Sequence, residues 1–253
     1  MRKPFIAANW KMNKTMKEAS IFMNEFRPLV KHREDIDIVV CAPFTLLYGL
    51  EGEMKGTNIH LGAQNIYSEE SGAFTGEISA AMIREFAEYT IIGHSERREL
   101  FHETNKMVNK KIKKALEHDL KVIFCIGEIL AEKESGITKR VIESQLREGL
   151  ADIKDISRLI IAYEPVWAIS KGDPDKPSAT PRDAQFVHSF IRELLRILYM
   201  SDAADSMRII YGGSMKPSNV NDLMAMPDID GGLVGSASLD AKSFAEIVNF
   251  RRQ

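Results

Sequence analysis

Residues 90–126 read TIIGHSERRELFHETNKMVNKKIKKALEHDLKVIFCI, and this stretch contains the pattern that decides the fold. It opens with a short apolar run, Thr90–Gly93, and closes with a second, Val122–Ile126. Both runs are continuous in apolar character, which is typical of strands buried on both faces of a parallel sheet. The residues between them show helical spacing at Val108, Ile112, Ala115 and Leu116. The stretch therefore predicts a strand–helix–strand unit with a right-handed crossover.

The same alternation extends through the whole chain. The short apolar runs are Phe5–Ala8, Ile38–Ala42, Ile59–Ala63, Thr90–Gly93, Val122–Ile126, Leu159–Tyr163, Arg208–Tyr211 and Gly232–Gly235. Eight strands in alternation with about eight helices indicate an α/β protein, and eight such units close naturally into a parallel, eight-stranded (β/α)8 barrel. A doubly wound open sheet is the alternative. No segment is rich enough in Pro, Gly and Ser to be a linker, so we predict a single domain over residues 1–253.

Two other segments show a strong helical face, and several helix starts are marked. The apolar faces consist of Ala19, Phe22, Met23, Phe26, Leu29 and Val30, and of Val187, Phe190, Ile191, Leu194, Leu195 and Leu198. Thr15 followed by Glu18 predicts a capping box. Thr180 before Pro181 predicts an N-cap with proline at the first helical position, and Pro217 predicts another helix start of this kind.

Composition excludes several classes of protein. Of the 253 residues, 28% are charged and 44% are apolar, as in an ordinary globular chain. A net charge of −2 gives no electrostatic reason to expect a nucleic-acid partner or an acidic membrane surface. No apolar run approaches the ~18 residues of a membrane span, and the stretch that follows the first charges is too short for a signal peptide. We therefore expect a cytoplasmic protein.

The cysteines and histidines give no sign of a metal site. Cys41 and Cys125 both lie inside apolar runs, where thiols usually behave as small buried apolar groups. No partner stands at the short spacing that a zinc site or a disulfide framework requires. The six histidines are scattered as well. The sequence thus predicts two free, buried thiols and no bound metal.

Polar residues follow several of the predicted strands. Asn9 and Lys11 come after the first strand, His94 and Glu96 after the fourth, and Glu164 after the sixth. Because active sites of such barrels lie at the carboxyl ends of the strands, these groups are expected to meet. A carboxylate base, an imidazole donor and an ammonium group suit proton abstraction next to a carbonyl, with the enolate oxygen stabilised. Lys11 also suits a Schiff-base aldolase, which remains an open alternative.

Glycine turns follow the last two strands and point to an anion site. Gly212-Gly213-Ser214 comes after the seventh strand, and Gly235-Ser236 comes after the eighth. Exposed backbone amides at such turns bind phosphate well, and barrels commonly bind phosphate at this position.

The motifs at these positions together resemble the triosephosphate isomerase family. They are NWKMN (9–13), LGAQN (61–65), GAFTGE (72–77), IIGHSERR (91–98), CIGE (125–128), AYEPVWAI (162–169), YGGS (211–214) and DIDGGLVGSASL (228–239). The resemblance extends from residue 4 to about residue 250, with the motifs in the family's order. It implies interconversion of dihydroxyacetone phosphate and D-glyceraldehyde 3-phosphate without a cofactor or metal.

The resemblance also implies a role for each catalytic residue. Glu164 would shuttle a proton between two carbons, and His94 would polarise the carbonyl as a neutral imidazole. Asn9 and Lys11 would stabilise the enediolate oxygens, and Glu96 would orient the site. These roles follow from the family and not from the spacing of the residues.

Phosphate, lid and dimer contacts are implied in the same way. The backbone amides of Ser170, Ser214, Gly235 and Ser236 would hold the phosphate. The lid would extend from Pro165 through Val166 and Trp167 to Ala179, with Ile169 and Leu233 covering Glu164 with apolar surface. The loop around Thr75 resembles one that inserts into a second copy, which implies a homodimer.

Two departures from the family pattern concern the segments that are implied to bind the phosphate. The segment AISKGDPDKPSATP (168–181) is about four residues longer than the usual lid, although lengthening a loop costs little closure entropy. Ser170 and Ser236 also stand where glycine is usual, so each adds a Cβ beside the phosphate. We expect altered lid kinetics rather than loss of activity. A catalytically silent barrel that binds phosphosugars is the non-enzymatic alternative.

Overall fold

A computed structural model describes residues 2–169 and 179–251 of the chain. Within these residues eight parallel strands pair in sequence order, and the last pairs with the first, so that the sheet closes into a barrel. The strands are β1 (Phe5–Asn9), β2 (Asp37–Ala42), β3 (Ile59–Ala63), β4 (Tyr89–Ile92), β5 (Lys121–Ile126), β6 (Leu159–Tyr163), β7 (Arg208–Tyr211) and β8 (Gly231–Val234). The predicted barrel is confirmed, and the open-sheet alternative is wrong.

Helices connect successive strands on the outside of the barrel. They are α1 (Met16–Val30), α2 (Phe44–Met54), α3 (Ala80–Arg84), α4 (Ser95–Leu100), α5 (Asn105–Glu117), α6 (Leu130–Glu134), α7 (Thr138–Gly149), α8 (Pro181–Leu198), α9 (Ser201–Ser206), α10 (Val220–Met224) and α11 (Ala241–Val248). Two short 3-10 turns, Val166–Ala168 and Ser236–Ser238, follow β6 and β8. The described helices outnumber the predicted set because three connections contain two helices each. None of them has the length and apolar character needed to cross a membrane.

The apolar runs predicted the strands to within one residue at each end. Alternate side chains of each strand point to two separate cores, as the pleat of a strand requires. An inner cluster fills the barrel, and it includes Phe5, Ala7, Val39, Cys41, Tyr89, Ile91, Ile123, Cys125, Ile160, Ala162, Ile210 and Leu233. The residues between them pack outward against the helices. Both cysteines are free and buried, as predicted.

The predicted helix starts are confirmed at two of three positions. Thr15 and Glu18 form a reciprocal capping box, and Thr180 caps α8 with Pro181 at its first position. The prediction at Pro217 is wrong. Residues 217–219 form a turn, and α10 begins only at Val220.

Candidate active site

A cavity of about 470 Å³ opens at the carboxyl end of the barrel. It is lined by all five residues predicted to be catalytic, which are Asn9, Lys11, His94, Glu96 and Glu164. Because parallel strands bring their carboxyl ends to one rim, residues distant in sequence meet here. The sequence prediction that these groups share one site therefore agrees with the geometry.

Glu164 and His94 form a buried pair on the floor of the cavity. Their exposed fractions are 2% and 6%. The Nε2 atom of His94 lies 3.0 Å from Oε1 of Glu164, and the backbone N–H of Ser95 donates to Oε2 at 2.9 Å. The backbone N–H of Glu96 approaches Nδ1 of His94 at 3.2 Å. Since Nδ1 accepts a hydrogen bond, the imidazole carries its proton on Nε2 and donates it to Glu164.

The surroundings of Glu164 keep its carboxylate ionised. Burial acts to raise its pKa, but His94, the Ser95 N–H group and Lys11 together outweigh burial and hold the pKa below its ordinary value. Burial is therefore the largest single influence on the pKa of Glu164, but the polar contacts together exceed it in this conformation. The carboxylate is present as a base and is held by hydrogen bonds at the floor of the cavity.

Lys11 enters the cavity from a left-handed backbone position. Its φ angle is 53°, and its backbone N–H donates to Oδ1 of Asn9 at 3.1 Å. Its Nζ donates to the Glu96 carboxylate, so the ammonium group is fixed above the floor of the cavity. Gln64 then holds the Lys11 carbonyl at 3.0 Å through its side-chain amide, which also reaches the Cys41 carbonyl.

Gln64 is a contributor that the sequence reasoning did not single out, and Gly212 was singled out only for the anion site. Gln64 belongs to the LGAQN motif, and its place directly after the third strand was the available signal. Gly212 packs against the acid: a Cβ there would lie 2.7 Å from Cγ of Glu164. Its place in the YGGS turn predicted an anion site, but not this contact.

The glycine turns line the opposite wall of the same cavity. Gly212, Gly213 and Ser214 contribute after β7, and Gly235 and Ser236 contribute after β8. Ser236 begins a 3-10 turn, and the first N–H groups of such a turn have no partner within the turn itself. This arrangement suits a phosphate group. Ser170 lies outside the described residues.

The two ends of the predicted lid are described, and residues 170–178 are not. Pro165 is buried, and Val166 and Trp167 begin the 3-10 turn after β6. Ile169 and Leu233 line the cavity beside Glu164. Ala179 is buried next to the start of α8.

Glu128 anchors the first end of this segment. It accepts hydrogen bonds from Trp167 Nε1 at 2.8 Å and from Tyr163 Oη at 3.1 Å. Burial raises the pKa of Glu128, and these hydrogen bonds partly offset that effect. The Nζ atom of Lys133 lies 3.0 Å from the centroid of the Trp167 ring on the other side.

Thr75 does not belong to the cavity. Residues 71–77 are all exposed and form the connection between β3 and α3. In the part of the chain that the structure describes, no group of three or more His, Cys, Asp or Glu side chains is arranged to hold a metal ion.

Comparisons with known proteins extend over nearly the whole chain. The family model described as triosephosphate isomerase matches residues 4–251. A protein named triosephosphate isomerase from Endomicrobium trichonymphae is 52% identical, and the match covers all of both chains. Proteins of the same name from Carboxydothermus hydrogenoformans and Clostridium botulinum are 52% and 49% identical, with at least 98% of each chain covered. This chain belongs to the triosephosphate isomerase family.

Proposed function

We propose that the chain interconverts dihydroxyacetone phosphate and D-glyceraldehyde 3-phosphate through an enediolate, without a cofactor. The observation that carries the proposal is the pairing of an ionised, buried Glu164 with the Nε2–H group of His94 in one cavity. Lys11 and Asn9 stand beside this pair, and glycine turns suited to phosphate form the facing wall. Base, electrophile and anion site thus occupy the positions that an isomerase of triose phosphates requires.

In the proposed reaction, Glu164 takes a proton from the hydroxyl-bearing carbon next to the carbonyl and returns it to the former carbonyl carbon. The hydroxyl proton of the first carbon passes to the former carbonyl oxygen, so that the carbonyl and hydroxyl groups exchange places. His94 donates its Nε2 hydrogen bond to the substrate oxygen on which negative charge develops. Lys11 and Asn9 stabilise the same enediolate, while Glu96 holds the Lys11 ammonium group in place. The amides of Ser214, Gly235 and Ser236, together with that of Ser170, hold the phosphate.

Glu164 must leave its present partners before it reaches a substrate carbon. Its carboxylate now binds Ser95 N–H and His94, and both interactions lower its pKa. When it turns into the cavity it loses these contacts, and cover by Ile169 and Leu233 then raises its basicity by desolvation. We propose that closure of the segment from Pro165 to Ala179 drives this exchange and excludes water.

The test is steady-state isomerisation of D-glyceraldehyde 3-phosphate by the wild type and by Glu164→Gln. Loss of a general base at this position is expected to lower kcat by about 10³-fold or more. Glu143→Gln is a matched control, because it removes a carboxylate from an exposed pair with Arg147 on α7. This control is expected to retain wild-type kinetics. A Glu164→Gln variant with near wild-type turnover would refute the assigned base.

The alternatives give different results in the same experiments. A Schiff-base aldolase would form a covalent adduct at Lys11 that borohydride traps, and an isomerase would not. A silent barrel would bind the triose phosphate but would not turn it over. Neither alternative requires the buried pairing of Glu164 with His94.

We also propose that the chain forms a homodimer through the loop around Thr75. Large apolar side chains are exposed on the connections that follow β1, β2 and β3, which lie in one sector of the barrel. They include Met12 at 96%, Tyr48 at 79% and Met82 at 51% exposure. Apolar side chains exposed on neighbouring connections suit a protein interface, although others are exposed elsewhere on the barrel, such as Ile197 and Met200. Analytical ultracentrifugation is expected to give twice the chain mass for the wild type and a lower mass for Thr75→Arg.

A cytoplasmic location is part of the same proposal. It is supported by the two free cysteines, since reduced thiols are usual in that compartment. Fractionation of source cells with an antibody to the chain tests it.

A further inference from the structure

The side chain of Asn219 makes an unusual bridge at the phosphate end of the cavity. Asn219 occupies the N-cap position of α10, where an asparagine normally accepts a hydrogen bond from the helix. Here its side chain makes no such bond and turns back toward the preceding loop. Its Nδ2 donates to the Ser214 carbonyl at 2.9 Å, and its Oδ1 accepts from the Lys216 backbone N–H at 2.8 Å.

The bridged segment forms one wall of the cavity. Ser214, Met215 and Lys216 all line it, directly after Gly212 and Gly213. The Asn219 carboxamide joins the carbonyl of Ser214 and the amide of Lys216, so the intervening peptide units are held in one conformation. Gly212 and Gly213, directly before this segment, carry no side chain that could hold it, so the Asn219 side chain supplies that contact.

An anion site built from backbone amides depends on such rigidity. Each amide must already point at the phosphate, because ordering a loop during binding reduces affinity. The Lys216 side chain is exposed at the mouth of the cavity, where its charge also favours a phosphate dianion. The bridge by Asn219 therefore fixes Ser214, whose amide is proposed to bind the phosphate group, and Lys216, whose charge favours it.

We propose that Asn219 is a positioning residue that pre-organises the Ser214–Lys216 loop for the phosphate of the substrate. The proposal rests on the proposed function, since it assigns the phosphate to this wall of the cavity. Asn219 itself lies outside the set of cavity-lining residues. Its effect is therefore exerted through the loop, and it concerns binding of the phosphate more than the proton transfer at Glu164.

The experiment compares wild type and Asn219→Ala on two substrates, D-glyceraldehyde 3-phosphate and D-glyceraldehyde, which lacks the phosphate. Two ordinary hydrogen bonds hold the loop, so their loss is expected to raise KM for the phosphorylated substrate about 10-fold, with kcat changed less than about threefold. The inhibition constant of inorganic phosphate is expected to rise in parallel. The kcat/KM value for D-glyceraldehyde is expected to stay unchanged.

Asn109→Ala is the matched control. Asn109 on α5 also bridges backbone groups through its carboxamide, donating to the carbonyls of Gly149 and Ala151, but it does not line the cavity. Its loss is expected to alter Tm without changing KM for either substrate. If Asn219→Ala does not fold, Asn219→Ser supplies an ordinary N-cap hydroxyl without the bridge, and the same difference between substrates is expected.

The possible outcomes separate this inference from the proposed function. An unchanged KM and phosphate inhibition constant in Asn219→Ala or Asn219→Ser, with an active wild type, would overturn the role of Asn219 alone. Equal losses on both substrates would also overturn it, because they would show a general structural effect. A wild type without isomerase activity would instead refute the proposed function.

Discussion

The imidazole of His188 on α8 lies completely buried against the outer face of the barrel, with 0% of its surface exposed. Its Nδ1 atom is 3.1 Å from the Asp228 carbonyl, and its ring packs edge-on against Tyr163. In the described part of the chain, Nε2 has no hydrogen-bond partner. Burial lowers the pKa of His188 from 6.5 to about 4. This difference between the two pKa values corresponds to about 3 kcal/mol in the free energy of unfolding, since one pKa unit is worth about 1.36 kcal/mol.

The sign of the effect follows from proton binding. Between pH 6.5 and about 4 the unfolded chain binds a proton at this histidine and the folded chain does not. Acid therefore favours the unfolded state. The contribution of His188 is fully present above pH 6.5 and is lost as the pH falls toward 4, with a steepest slope of about 1.4 kcal/mol per pH unit.

The assay is urea unfolding of the wild type and His188→Asn between pH 4.5 and 7.5, at one protein concentration because an oligomer unfolds with concentration dependence. The asparagine amide takes the place of Nδ1–H as donor to Asp228 but does not titrate. The smaller asparagine leaves a cavity, and this cavity lowers the free energy of unfolding by the same amount at every pH. The difference in free energy of unfolding between the wild type and His188→Asn is thus expected to shrink by about 2–3 kcal/mol as the pH falls from 7.5 to 4.5.

His32→Asn, which removes an exposed imidazole, is the matched control and is expected to give a curve parallel to the wild type. Parallel curves for the wild type and His188→Asn would refute the reasoning, because they would show that His188 takes up its proton equally in both states.

Three further changes have expected outcomes of different kinds. Gly212→Ala places a Cβ 2.7 Å from Cγ of Glu164 and is expected to lower kcat about 100-fold in steady-state assays while the barrel stays folded. Lys111→Met removes the Lys111 ammonium group from the buried Glu103 carboxylate, which keeps its ion pair with Arg97, and urea unfolding is expected to show a loss of about 1–3 kcal/mol. Phe26→Ala removes a fully buried ring that packs between two others and is expected to cost about 3–5 kcal/mol, with isomerase kinetics unchanged. Losses below 1 kcal/mol in either stability variant would contradict the assigned packing.

The sequence predicted the strands well because burial on both faces leaves a continuous apolar run. The run Leu159–Tyr163 is identical to β6, and Ile59–Ala63 is identical to β3. Helix faces were less certain at their ends. Leu29 fits the apolar period of α1 but is 40% exposed, whereas the adjacent Val30 is completely buried, so the packed face of the helix is narrower than the apolar period predicts.

The start of α10 shows why local signals fail near the site. Proline at a first helical position is a general preference, and Pro217 matched it. The Lys216 amide is instead bound by Asn219, and the residues between them form a turn. A side-chain contact thus replaced the expected helix start, and propensity gives no information about such a contact.

The site residues were predictable by type and place, but their supports were not. Asn9 ends β1, His94 lies two residues beyond β4, and Glu164 directly follows β6, so the barrel rule brings them together. Nothing local shows that Gln64 reaches the carbonyl of Lys11, because that contact joins segments 53 positions apart.

The fold was easier to predict than the supports of the site because many side chains specify the fold and few specify the site. The barrel is specified by eight apolar runs, and the loss of one side chain weakens a core that many others maintain. The left-handed backbone at Lys11, by contrast, is a conformation that non-glycine residues adopt at an energetic cost, and it is held by the amides of Gln64 and Asn9. The Asn219 carboxamide likewise adds two hydrogen bonds to the backbone contacts that hold the Ser214–Lys216 loop. Folding therefore tolerates changes that the active site does not, because the precision of the site rests on a few individual hydrogen bonds, some local and some between distant segments, that follow no repeating pattern.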